Sequence, residues 1–150
     1  MAQTLENRGL IMKKIIFIAF IASLTLLSAS AVEEASKLDV KKVCDVKANG
    51  LEKTLAVAKK FNPEAIKLGV EFKRLGIRNR DYIKALEESI KAKKKETVIK
   101  YKEKGKDKTQ TFPTDYATWR ACTFAVRALQ QVKEAEETWR LAVPGDGFKY

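Results

Sequence analysis

The sequence predicts a mainly α protein: a small bundle of four to five helices, with one β-hairpin inserted before a long C-terminal helix. Three observations predict it. Apolar residues recur at three- and four-residue steps through most of residues 36–92 and again through 115–143. Residues 96–112 alternate instead, around a Gly-containing turn. Turn residues separate these segments at Asn49-Gly50, Asn62-Pro63, Gly76 and Pro113.

The chain before the bundle reads as an address. Met12-Lys13-Lys14 is a short positive region, and Ile15–Leu27 is an uncharged, mostly apolar run. Ser28-Ala29-Ser30-Ala31 supplies the small residues at which signal peptidases cut. The apolar run is shorter than the ~20 residues of a membrane-spanning helix. Residues 1–31 are therefore expected to be an N-terminal extension and secretory signal, with the start at Met12 and cleavage after Ala31. A retained membrane anchor is the alternative. Residues 32–150 are expected to form a single helical domain. Removing Arg8, Lys13, Lys14 and Glu6 leaves 27 basic and 18 acidic residues there, a net charge of +9.

The first helical segment runs from Ser36 to about Lys60, with Val40, Cys44, Ala48, Leu51, Leu55 and Ala58 on one face and a turn signal at Asn49-Gly50 that can break it in two. Asn62 then reads as a cap and Pro63 as a first helical position. That helix is expected to reach about Leu75 and to end at Gly76. Asn79 is the expected cap of the next helix, about Arg80–Ala92, whose stripe is Tyr82, Ile83, Leu86 and Ile90. In the hairpin, Thr97, Ile99 and Tyr101 point one way and Val98 and Lys100 the other. Lys108–Phe112 returns as the second strand. Pro113 ends it. Thr114 caps the last helix, which carries the stripe Trp119, Cys122, Val126, Leu129, Val132, Ala135 and Trp139.

Cys44 and Cys122 both fall on apolar faces. In an exported chain they are expected to form one disulfide between the first and last helical segments. A catalytic thiol is disfavoured, because there is no CxxC and the chain contains no histidine. The missing histidine also excludes Ser-His-Asp and Cys-His catalysis and His-ligated zinc. No metal or organic cofactor is implied. Glu87-Glu88 are adjacent and point to different sides of a helix, so they do not form a catalytic carboxylate pair. Trp119 and Trp139 read as core residues, with a partner anchor as the alternative.

The strongest functional signal is charge. Residues 91–108 hold nine lysines against Glu96, Glu103 and Asp107. Lys93, Lys94, Lys95, Lys100, Lys104, Lys106 and Lys108 form the candidate binding patch, suited to an acidic protein or an anionic envelope polymer. Every cation in it is Lys, which favours a diffuse surface over bidentate readout. The expected function is an exported, non-enzymatic binding protein of inhibitor, immunity or chaperone type.

A second reading comes from residues 72–86. Phe72-Lys73-Arg74-Leu75-Gly76-Ile77-Arg78-Asn79-Arg80-Asp81-Tyr82 and the residues to Leu86 resemble the helix-turn-helix of bacterial DNA-binding domains, with Leu-Gly-Ile as the turn. The resemblance covers about 25 residues. It implies that Arg78, Arg80, Asp81 and Lys84 face DNA and that the following hairpin is a wing. Such a protein would bind nucleic acid while membrane-anchored or exported.

Overall fold

The computed structural model describes residues 30–74 and 76–138. Residues 1–29 of the expected 1–31 extension and signal, Leu75, and residues 139–150, Trp139 among them, lie outside the described residues. The mainly α class and the hairpin before the long last helix hold. Six helices lie among the described residues: α1 (residues 30–36), α2 (Val40–Val43), α3 (Val46–Asn49), α4 (Leu51–Lys67), α5 (Asn79–Lys91) and α6 (Thr114–Thr138). A miniature hairpin, β1 (Lys73–Arg74) and β2 (Ile77–Arg78), precedes α5, and the main hairpin, β3 (Glu96–Glu103) and β4 (Lys106–Pro113), follows it.

The first segment is more broken than its periodicity predicts. Asp39 accepts from the Lys41 N–H, and Asp45 accepts from Lys47 and Ala48, so each carboxylate starts a new four-residue helix. The Asn49 amide donates to the Lys42 carbonyl at 2.8 Å and packs these turns together. The break at Gly50 is present, in a left-handed conformation at φ 78°.

Three local expectations are corrected. Pro63 does not start a helix but lies inside α4. The missing N–H costs one helical bond. Burial of Phe61, Asn62 and Ala65 on either side keeps the helix going. Next, α4 ends at Lys67, not Leu75. The N–H of Val70 donates to Ala65 and that of Gly69 to Ile66, a Schellman closure with Gly69 at φ 71°. Finally, Asn79 is not a cap. It is the first helical residue of α5, buried, and the Asp81 carboxylate caps instead by accepting the Arg78 N–H at 2.8 Å. The tight turn implied by the helix-turn-helix resemblance is therefore replaced by residues 68–78, which contain β1 and β2.

The core lies where α4, α5 and the N-terminal segment meet α6. Ala117, Ala121, Ala125 and Ala128 give α6 a face of small buried residues. Leu55, Ala58, Phe61 and Ala65 of α4 are buried in the same cluster. Small side chains let the two helices approach closely. Cys44 and Cys122 are bonded, with their Cα atoms 5.6 Å apart, and Gln130 donates to the carbonyls of Ala35 and Leu38. The segment 32–44 is thus fastened along α6 at two levels.

The hairpin alternates as its sequence predicts. Thr97 and Ile99 are buried, while Val98 and Lys100 are exposed. Its turn is Lys104-Gly105, with φ of 49° and 78°, the two positive angles of a type I′ turn. Lysine tolerates that conformation less well than asparagine. Lys104→Asn is expected to raise stability by about 0.5–1 kcal/mol. An unchanged or lower melting temperature with the hairpin intact would refute it.

Candidate functional site

The lysines that are contiguous in sequence separate into two groups in space. Lys93, Lys94 and Lys95 lie in the link between α5 and β3, at the base of the hairpin. Lys104 and Lys106 lie at its tip. Eight-residue strands place the groups roughly 25–30 Å apart.

The base group borders an open groove of about 820 Å³ that is also lined by Lys53, Gly50, Leu51 and Thr114. The N-terminal ends of α4 and α6 both open onto it. Gly50 caps α4 without a side-chain hydrogen bond. The Thr114 side chain bonds away from its own helix: its hydroxyl donates to the Lys94 carbonyl at 2.8 Å, and its N–H donates to the Lys95 carbonyl. These bonds hold the lysine-bearing link against α6. Lys93, Lys94 and Lys95 are exposed and have no acidic partner among the described residues. Two positive helix ends and these cations give the groove a positive field, opposed by Glu52 and Asp115 on its wall.

The tip is partly neutralised. Lys108 is paired with Glu103, whose hydrogen bond holds the ammonium above its ordinary range. Lys102 faces Asp107 at 3.9 Å. Lys100, Lys104 and Lys106 remain without a salt bridge among the described residues.

The residues assigned to DNA by resemblance are divided as well. Arg80 donates through Nε to Glu71 at 2.8 Å, and its backbone N–H donates to the same carboxylate. Burial pushes the Glu71 carboxyl up, but hydrogen bonds from the Arg80 side chain and backbone and from Asn62 outweigh it, and the group lies below its ordinary range. Arg80 is thus part of a local network. Arg78 is exposed and lines a cleft against β3. Lys84 lines a different groove, between α4 and α5, with Pro63, Ile66 and Glu87.

One cluster has no counterpart in the sequence pattern. Arg120 lies within 5.0–5.9 Å of the ring centroids of Tyr82, Phe112, Tyr116 and Phe124. Its Nε is buried without a hydrogen-bond partner. Burial raises the Tyr82 hydroxyl above its ordinary range, against the pull of the Arg120 charge. Trp119, expected on the core stripe, is 44% exposed beside Tyr116. The face carrying Tyr116, Trp119 and Arg120 lies next to the core face, and a broad apolar stripe conceals the boundary between them.

No group of three or more His, Cys, Asp or Glu residues among the described residues is placed to hold a metal ion. Nor is any described helix long and apolar enough to cross a membrane. The disulfide is compatible with an extracellular location. Comparison with known proteins finds no matching family model, no similar curated protein and no similar solved structure.

Proposed function

We propose that this is an exported, non-enzymatic binding protein, periplasmic or secreted, whose basic hairpin and hairpin-base groove engage an acidic partner. The partner is an acidic protein or an anionic envelope polymer. The observation that carries the reading is the unpaired row Lys93, Lys94 and Lys95, held by Thr114 beside two helix N-termini. Cations with an acidic partner in the same chain are already compensated; these have none among the described residues. A signal-like leader and a buried disulfide support the location.

Charge governs encounter, so the test is kinetic. Association with poly-L-glutamate is expected to slow steeply between low and physiological salt. Replacing Lys93, Lys94, Lys95, Lys104, Lys106 and Lys108 with Gln should reduce the rate constant about tenfold or more at low salt and flatten that dependence. Unchanged rates would remove the basic hairpin from the binding surface. Location is tested by the intact mass of protein from its native host. The expected mass begins at Val32 and gains two alkyl groups only after reduction. A retained leader with both thiols free would overturn export.

A further inference from the structure

The miniature hairpin carries an arrangement that its own stability does not explain. Lys73 and Arg78 are direct cross-strand partners in the β1–β2 register. Like charges in that position repel. Both are exposed, and neither has an acidic partner among the described residues. Lys100, on the neighbouring strand β3, faces the same cleft of about 320 Å³, whose wall also includes Lys102 and Arg80. The one carboxylate there, Asp81, is engaged by the Arg78 N–H. Glycine at 76 lets the miniature hairpin pack closely on the Tyr101 ring that lines the cleft: a Cβ there would come within 3.1 Å of it. Arg80 is engaged by Glu71, and Lys102 faces Asp107. Three cations on three strands of two hairpins, none with an acidic partner among the described residues, therefore converge on one small polar cavity.

We infer that this cleft binds a phosphate-type dianion, held by Lys73, Arg78 and Lys100. Three charge-assisted donors suit the oxygens of a phosphate group, and Arg78 supplies the planar fork. The volume lies at the lower end of small-ligand sites, so the cavity takes a phosphate with at most a small attached moiety. A bound dianion turns the Lys73–Arg78 repulsion into two attractions. The cleft shares Lys100 with the basic hairpin but none of the six lysines whose replacement tests the proposed function, so either can fail alone.

The test is an amide-resolved titration of the disulfide-bonded protein with inorganic phosphate at low ionic strength. Saturable shifts are expected at Lys73, Arg78 and Lys100. K73Q/R78Q should weaken binding about tenfold, the loss typical of removing charge-assisted hydrogen bonds. K93Q/K94Q/K95Q should bind phosphate like the parent while losing poly-L-glutamate association. Shifts spread without saturation over all lysines, or unaltered binding in K73Q/R78Q, would overturn the site. Without phosphate, K73Q should melt at or above the parent temperature, because the repulsion is gone; a clear fall would mean that Lys73 has a structural partner and would overturn it too. Phosphatidate vesicles, whose headgroup is a phosphate monoester, identify the source. If phosphate displaces the protein from them, the dianion is a lipid headgroup; if vesicles do not compete, it is a free solute. Vesicle binding without phosphate binding would refute the cleft.

Discussion

Loss of the Cys44–Cys122 bond is expected to lower stability by about 4 kcal/mol, the chain-entropy value for closing a loop of this length. The two cysteines are 78 positions apart, and both side chains are fully buried. For a domain of this size the loss corresponds to a fall of about 15 °C in melting temperature. Loop entropy is only part of the reason. The segment 30–49 holds three helices of at most seven residues, far below the length at which an isolated helix persists in water. Their apolar anchors are small: Val32, Ala35, Val40 and the disulfide itself. Without the bond, Gln130, the Lys133–Glu33 ion pair at 3.7 Å and these contacts hold the segment to α6 among the described residues. A Cys44→Ala/Cys122→Ala variant should therefore melt in two steps, with residues 30–49 released first. The release also exposes the Asn49–Lys53 wall of the hairpin-base groove, so poly-L-glutamate binding should weaken before global unfolding. Thermal unfolding followed by circular dichroism, with amide exchange across 30–49, measures both effects. A variant within a few degrees of the parent would show that packing alone holds the segment.

That bond is legible in the sequence because both cysteines sit on apolar helical faces and residues 12–31 read as a secretory signal, from which an oxidising compartment is expected. The hairpin is legible for a similar reason: Thr97, Ile99 and Tyr101 alternate strictly with Val98, Lys100 and Lys102. What periodicity does not encode is which polar residues are buried. Asn62 and Asn79 are frequent cap residues, and local sequence gives no reason to place them in the core. Both are buried, at 3% and 1% exposure, because they bond to each other across the α4–α5 interface. The same burial carries Pro63 into the helix, since only a cap at Asn62 would make Pro63 a helix start. At the candidate site, the lysines form one run in the sequence and two groups in space. Separation of Lys93–Lys95 from the tip, and convergence of Lys100 with Arg78, depend on strand length and on the β1–β2 register, which a run of charges does not specify.

The Asn79 side chain is the second place where a single change is expected to cost about 3 kcal/mol. Its Nδ2 donates to Asn62 Oδ1 at 2.9 Å and to the Ala121 carbonyl at 3.0 Å, so it joins α4, α5 and α6 at one point. Its own Oδ1 is buried without a partner, so this amide already carries a desolvation cost that the two donated bonds must outweigh. Asn79→Ala removes both donated bonds and strands the buried Asn62 Oδ1, while the Ala121 carbonyl keeps its helical bond within α6. Asn62→Leu in the same background removes that stranded acceptor, and the double variant should be more stable than the sum of the two single losses. Additive losses in chemical denaturation would mean that the two amides stabilise independently. The consequence extends beyond stability. Asn62 also donates to Glu71, which holds Arg80 and the start of α5. Arg78 is the residue just before that helix. Loosening the Asn62–Asn79 contact should therefore blur the placement of Arg78 against Lys73, and weaken phosphate binding more than that of poly-L-glutamate, whose lysines are fastened separately through Thr114.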